Sequence, residues 1–203
     1  MNVMNLLADS GFVMIPLFLF SVIMWTIVFE RIWYLRKFKS AYFSFDLKAQ
    51  ELLAKNNKLS ELKGYCSSAP EILNAPYKVL LDSQEKKFPD LEERLERRLQ
   101  EVHLNLKQYL WVLASIASTA PFVGLFGTVV GIIRSFEDIS KSGKGGFSVV
   151  AAGLSEALIA TAAGIIVAVI AVLFFNFLLN WVNSLSSDFR NRFADFAAYF
   201  KKD

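Results

Sequence analysis

Three long apolar runs interrupt an otherwise charged chain. The first covers residues 10–29 and the second residues 108–133, both without a charged side chain, and the third starts at residue 147 with Glu156 as its only charge up to residue 187. A helix needs about 20 apolar residues to cross a hydrocarbon core of about 30 Å at 1.5 Å per residue. The pattern predicts an all-α integral membrane protein with three transmembrane helices. A signal peptide is the competing interpretation of the first run, but no basic residue precedes it.

The remaining segments show the pattern of helices in water. Residues 31–107 are rich in charge and contain Pro70, Pro76 and Pro89 without strand-like alternation, which predicts a helical insert. After Pro89, apolar positions recur every three to four residues and neither Gly nor Pro occurs before Pro121, so we expect one helix to run on into the second span. The third helix should likewise extend beyond its span as an amphipathic rod, and its apolar stripe packs either within the subunit or against other copies. This stripe consists of Val182, Leu185, Phe189, Phe193, Phe196 and Phe200.

The basic residues orient the chain. Arg31, Arg36, Lys37 and Lys39 follow the first run directly, and basic residues favour the cytoplasmic end of a span. We therefore predict an N-terminus outside and a C-terminus in the cytoplasm. The predicted segments are an outer N-terminal segment (1–9), the first span (10–30), a cytoplasmic helical insert (31–107), the second span (108–133), an outer loop (134–146), the third span (147–182) and a cytoplasmic helical extension (183–203).

The composition agrees with a membrane protein and argues against nucleic-acid binding, disulfides and Cys/His metal sites. The 203 residues are 54% hydrophobic with a net charge of +3, and no basic patch interleaved with aromatic residues indicates nucleic acid as a partner. Cys66 and His103 are the only residues of their types, which leaves no material for a disulfide or a Cys/His metal site. We interpret His103 as a solvated or interface residue and expect no cofactor, no metal and no enzyme activity.

Small residues form one smooth face on each of the last two spans. They are spaced by three or four positions, so each set shares a helix face with little side chain, and such faces favour close packing against another helix. We expect them to serve helix packing and self-association. The set comprises Gly124, Gly127 and Gly131 on the second span and Gly153, Ala157, Ala160, Gly164 and Ala168 on the third.

Three polar side chains interrupt these faces: Thr128, Glu156 and Thr161. If Trp111 and Trp181 mark the inner interface, the two threonines lie about 25 and 30 Å further out, with Glu156 about 7 to 8 Å beyond. Each threonine could simply bond a carbonyl of its own helix, and Glu156 could be a wet residue at the outer mouth. The alternative is a proton path. Because no Asp, Lys, Arg or His lies within the spans, a partner would then have to supply the titratable acid.

Two segments carry a resemblance that favours the proton path. APFVGLFGTVVGI at 120–132 and SEALIATAAGIIVAVIAVLFFN at 155–176 resemble the TolQ/ExbB/MotA proton-channel family, in particular its ExbB/TolQ branch. Thr128 and Thr161 match the pore threonines of that family, and Glu156 matches its pore-lining glutamate. Ile170 stands where many members have Pro, so we expect a straight third helix there.

The resemblance implies a proton-driven motor of the bacterial inner membrane. In the family, a homopentamer surrounds the transmembrane helices of ExbD- or TolR-type partners, whose membrane aspartate carries protons. The flow drives work on the outer membrane through TonB-like or Tol-type proteins. A different hypothesis is a passive oligomeric scaffold, in which the small residues serve packing only and Glu156 has no role. A membrane enzyme has little support, because the chain contains no nucleophile–base constellation.

Overall fold

Helices account for almost all of the chain that the structure, a computed structural model, describes. The described residues are 14–54, 59–68, 70–83, 90–142 and 147–200, and none of them lies in a strand. The all-α fold class is therefore confirmed. The helices are α1 (Met14–Ala54), α2 (Leu59–Ser68), α3 (Glu71–Ser83), α4 (Leu91–Leu106), α5 (Leu110–Ser142) and α6 (Phe147–Phe200).

Three of these helices are long and apolar enough to cross a membrane. The stretches are Met14–Leu52 in α1, Leu110–Glu137 in α5 and Gly153–Phe200 in α6. The prediction of a three-span membrane protein is confirmed at this level. α6 runs past Ile170 without a break, as expected where no proline removes a backbone hydrogen bond. The predicted N-terminal segment 1–9 lies outside the described residues, and the assignment of the other segments to the membrane or to one side of it stays a prediction.

The predicted continuous helix into the second span is interrupted at Tyr109. α4 ends at Leu106 and α5 begins at Leu110, and Tyr109 has a φ of 65°, in the left-handed region. Short-range bonds replace the helical ladder here, with the Gln108 N–H donating to the Asn105 carbonyl at 3.2 Å. The apolar spacing could not reveal this break, because Leu106 and Leu110 remain four positions apart and both are buried.

The predicted loop at 134–146 is helical over most of its length. α5 continues to Ser142, and residues 143–146 lie outside the described residues. The polar residues suggested a loop, but no Gly or Pro occurs between Gly131 and Gly143 to end the helix. Arg134 and Glu137 are exposed on its surface. Residues 134–142 therefore form helix and not the predicted loop.

The described chain forms two units, which differ in what they bury. Unit 1 consists of residues 1–30 and 109–177, and unit 2 of residues 31–108 and 178–203. Unit 2 is built on an aromatic cluster around Tyr77, which is fully buried. The Tyr77 ring lies 4.8 Å from Phe45, 5.1 Å from Phe193 and 5.0 Å from Phe196 between centroids. The Phe-rich stripe of α6 therefore packs within the subunit, which is one of the two alternatives left open by the sequence.

A buried carboxylate accompanies this aromatic cluster. Asp46 is 1% exposed, and its Oδ2 accepts a hydrogen bond from the Arg192 guanidinium at 3.0 Å. Arg192 also contacts Asp188 at 3.4 Å, and Asp188 in turn accepts a hydrogen bond from the Tyr42 hydroxyl. The second oxygen of Asp46 has no hydrogen-bond partner in the described part of the chain. Arg192 is therefore the cation that keeps a buried charge compensated.

We predict that Arg192→Met lowers the free energy of unfolding by about 3 kcal/mol, because it leaves the Asp46 carboxylate buried without its cation. Met retains the packing of the arginine stem. Arg190→Met is the matched control. Arg190 lies on the same helix as Arg192 but pairs with Glu96 of α4, and because these side chains are 59% and 53% exposed, the pair should contribute less than about 1 kcal/mol. Denaturant unfolding of the purified protein in detergent measures both. Equal losses for the two variants would contradict the assignment.

Cys66 provides a pH-dependent test of unit 2. Its thiol is 1% exposed, and burial raises its pKa to about 11, against a smaller opposing effect of Lys78. Because the thiolate is the reactive form, we predict alkylation at pH 8 at least about 100-fold slower in the folded protein than in the unfolded chain, rising with pH. Because burial raises this pKa, any stability that the neutral thiol contributes to the fold is fully present below the pKa of Cys66 in the unfolded chain. That stability is lost as the pH rises through the pKa of Cys66 in the folded protein. Iodoacetamide labelling followed by mass spectrometry measures the rate, and labelling as fast as in denaturant would show an open unit 2.

Candidate functional site

Within unit 1, α5 and α6 approach each other so closely that their backbones touch. A Cβ atom added to Gly164 would lie 2.7 Å from the carbonyl oxygen of Ala120 and 3.0 Å from the Cα of Gly124. One added to Gly124 would lie 3.0 Å from the carbonyl oxygen of Ala160. Real Cβ atoms essentially never come closer than 3.0 Å to such neighbours, so Gly164 is required to be Gly by the space it occupies. The smooth faces identified in the sequence meet each other here.

The same contact continues toward the end of α5. Gly131 faces Ala157, and a Cβ on Gly131 would lie 2.6 Å from the Ala157 Cβ. Gly153 faces the Ser135 hydroxyl, which donates a hydrogen bond to the Gly131 carbonyl at 2.8 Å. The other small residues of these faces, Gly127, Ala157, Ala160 and Ala168, are buried. Sequence reasoning missed Ser135, which it had assigned to the loop, although its spacing of four from Gly131 was a usable signal.

The two threonine hydroxyls converge on neighbouring carbonyls of α5. Thr128 donates to the Leu125 carbonyl of its own helix at 2.6 Å. Thr161 donates across the contact to the Gly124 carbonyl at 2.9 Å. Gly124 can accept this bond from another helix because no side chain keeps α6 away from its backbone. Thr128 thus makes the local bond considered in the sequence, whereas Thr161 makes a bond between helices.

The Glu156 side chain points from a different side of α6 than the Thr161 side chain. It precedes Thr161 by five residues, so at 3.6 residues per turn the two side chains point about 140° apart around the helix. Phe174, five turns further along, shares the flank of Glu156 and packs against Trp25 of α1 with 5.4 Å between ring centroids. The Glu156 side chain is half-buried. Within one chain, the structure brings the two threonines together and does not join Glu156 to them.

This arrangement defines what the site can do chemically. A hydroxyl that donates its proton to a carbonyl keeps lone pairs on oxygen with which it can accept another hydrogen bond. The site can therefore receive a donor such as a protonated carboxyl group, whereas a carboxylate would require a hydroxyl to leave its carbonyl. Neither threonine is titratable near neutral pH. The hydroxyls can position or relay a proton but cannot carry it as a charge.

His103 and Cys66 belong to unit 2 and are not part of this arrangement. His103 is half-buried on α4, where burial lowers its pKa and Lys107 adds to the effect. Its side chain lines a shallow groove with Glu96 and Arg190. The interpretation of His103 as a solvated or interface residue stays a prediction.

Comparison with known proteins connects this geometry to a family. A family model described as the MotA/TolQ/ExbB proton channel family matches residues 67–191, which is more than half of the chain. The chain belongs to the MotA/TolQ/ExbB proton channel family. The match includes α5 and most of α6, so it contains both threonines and the glycine contact. The resemblance found in the sequence is thereby confirmed.

Relatives within the family point to its ExbB branch. A putative biopolymer transport protein ExbB-like 1 of Helicobacter pylori is 42% identical over 135 residues, covering 62% of this chain and 70% of that protein. The biopolymer transport protein ExbB of Pseudomonas putida is 51% identical over 83 residues, covering 41% of this chain and 25% of its own length. That of Neisseria gonorrhoeae is 51% identical over 76 residues, covering 37% and 34%. The match spans only a quarter to a third of these two ExbB proteins. The family is one of proton channels and not of enzymes.

We predict that Gly164→Ala destabilises the α5–α6 pair by about 1–3 kcal/mol, because the added methyl group would strike the Ala120 carbonyl. Gly64→Ala is the matched control, since nothing lies within 4 Å of the position that its Cβ would take on α2. The control should be neutral or stabilising by up to about 1 kcal/mol, as alanine favours helices over glycine. Thermal unfolding of the purified protein in detergent compares the two. A Gly164→Ala variant as stable as the parent would show that the contact is looser than described.

Proposed function

We propose that this chain is a subunit of a proton-driven motor in the bacterial inner membrane. Five copies form a pore around the transmembrane helices of an ExbD- or TolR-type partner, and proton flow through the pore drives work on the outer membrane. The work is TonB-dependent uptake or a Tol-type function. Membership of a proton-channel family and the resemblance to proteins named ExbB support this proposal.

The observation that carries the proposal is the pair of threonine hydroxyls on consecutive carbonyls of α5. Thr128 and Thr161 lie beside the close backbone contact at Gly124, inside apolar spans that contain no Asp, Lys, Arg or His. Both hydroxyl oxygens can still accept a hydrogen bond, and they lie at a similar level of an apolar surface. This arrangement suits a partner protein that supplies a titratable acid. A scaffold needs the glycine contact but has no use for this capacity.

In the proposed mechanism, the threonines distinguish the two protonation states of the partner's aspartate. A protonated carboxyl group donates its one hydrogen bond to a threonine hydroxyl oxygen while Thr161 keeps its bond to the Gly124 carbonyl. An ionised carboxylate needs a donor, so Thr161 turns its proton from Gly124 toward the carboxylate. The hydroxyl thus exchanges one acceptor for another as the proton moves, and no charge forms on this chain.

Glu156 takes a separate part in the proposal. Its flank of α6 is turned about 140° from Thr161, so a carboxylate of one subunit would reach a shared pore from a different side than the hydroxyls. We propose that Glu156 attracts protons at the outer side of the pore and delivers them to the partner's acid. In this arrangement, residues 1–9 and the end of α5 are periplasmic, and residues 31–107 and 183–203 are cytoplasmic.

Proton flux through the complex reconstituted with a single-span ExbD- or TolR-type partner tests the proposal. We predict that Thr161→Val and Glu156→Ala each reduce flux at least about tenfold, because each removes one polar group from the path. Thr161→Ser keeps the hydroxyl and should retain most of the flux. The readout is acidification of the vesicle interior, followed by a pH-sensitive dye after a pH difference is imposed.

Thr26→Val is the matched control for the loss of a hydroxyl. Thr26 lies on α1 and donates to the carbonyl of Val22 at 2.8 Å, an intrahelical bond like that of Thr128. It should leave flux unchanged. Native mass spectrometry of each complex establishes that the subunits remain assembled and gives their numbers. Full flux in both the Thr161→Val and Glu156→Ala complexes would refute the polar path and favour the scaffold.

A further inference from the structure

An apolar groove with a cationic edge lies in unit 2, directly after the first membrane span. It has a volume of about 300 Å³ and runs between α1 and the start of α3. On α1 it is lined by Trp33, Lys37 and Phe38, and on the opposite side by Ile72 and Leu73. No part of the pore proposal uses these residues.

The groove combines an exposed ring with a fixed cation. The Trp33 side chain is 65% exposed. The Lys37 ammonium lies 5.0 Å from the centre of the Trp33 ring, within the range of a cation–π contact. Phe38 and Leu73 are buried and form the apolar floor. The opening therefore offers a positive charge at its edge and apolar surface within.

The position of the groove along α1 indicates which molecule meets it. Trp33 lies four residues after Phe29, the end of the charge-free run, or about 6 Å along the helix. This is the depth of the interface between acyl chains and headgroups, where tryptophan and lysine are enriched. Arg36 and Lys39 are exposed on neighbouring faces of the same helix and add to the positive potential. An occupant must accordingly be negative at one end and apolar at the other.

We propose that this groove binds one anionic phospholipid of the inner leaflet. Its phosphate-bearing headgroup pairs with Lys37, and the upper part of an acyl chain lies on Trp33 and Phe38 against Ile72 and Leu73. A zwitterionic phospholipid offers the same chains without the net negative charge. The groove therefore selects by headgroup charge.

The test follows the fluorescence of Trp33 itself. The chain has four tryptophans, and replacing Trp25, Trp111 and Trp181 by Phe leaves Trp33 as the reporter. The full chain is reconstituted into vesicles of phosphatidylethanolamine and phosphatidylglycerol at one fixed ratio, with brominated acyl chains carried by either lipid at equal mole fraction. Bromine quenches tryptophan on contact. We expect quenching at least about twofold stronger when phosphatidylglycerol carries the bromine, since the cationic edge retains anionic headgroups.

Paired variants separate a built site from diffuse attraction. Lys37→Glu should abolish the preference, whereas Lys39→Glu, an identical charge change two residues along and outside the groove lining, should retain it. Ala41→Leu should also abolish it without a change of charge, because Ala41 lines the groove and a larger side chain fills it. Slow labelling of Cys66 checks that each variant remains folded.

Three results would overturn the proposal. Equal quenching by both brominated lipids would show that the groove does not select charge. An equal loss in Lys37→Glu and Lys39→Glu would indicate attraction by the whole basic segment. Absence of quenching by either lipid would show that protein, such as a second copy of this chain, covers the groove. None of these results bears on proton flux, so the pore proposal stands or falls separately.

Discussion

Two helix backbones can touch only where neither carries a side chain at the point of contact, and unit 1 depends on one such contact. At Gly164 the spacing leaves no room for a methyl group and at Gly124 it leaves very little, so the helices meet main chain to main chain. Apolar burial gives helices in lipid little reason to associate, and close packing with polar bonds between helices supplies that reason. The bond from Thr161 to the Gly124 carbonyl exists because the backbones are this close. Packing and candidate chemistry are therefore one feature of the structure.

Unit 2 is held together by different physics. Its core is a set of aromatic rings around Tyr77, the kind of burial that water drives. It also contains Asp46, a carboxylate that is tolerated inside only because Arg192 reaches it. The two units of one chain are thus packed in different ways. Small residues bring the helices of unit 1 together, whereas large rings and a compensated charge hold unit 2 together.

A proton path built on this chain alone lacks a titratable acid beside the two threonines, because its spans contain no Asp, Lys, Arg or His. Hydroxyl groups can hold a proton in place or pass it on, but a charge cannot be loaded and unloaded on them at neutral pH. The proposed partner aspartate supplies that property, and the threonines supply the bonds that suit its two states. The division also explains how a titratable acid could work among apolar helices: it is introduced on a second protein, which can move relative to the first. The proposed lipid site at Lys37 is separate from this path and concerns how the chain meets its membrane.

The sequence alone determined the helical class, the three spans and the family, because these depend on local periodicity, on apolar length and on two segments of matching residues. It also identified the small-residue faces, which are in contact with each other in the structure. It could not locate the break at Tyr109, since a change of one backbone angle leaves the apolar spacing of Leu106 and Leu110 unaltered. It placed Ser135 in a loop because local composition cannot show a helix that is stabilised by packing. Only the tertiary structure decided that Thr161 bonds across to Gly124 while Thr128 bonds within its own helix. Such choices depend on which backbone comes within hydrogen-bonding distance, and that distance is a property of two packed helices and not of either sequence segment.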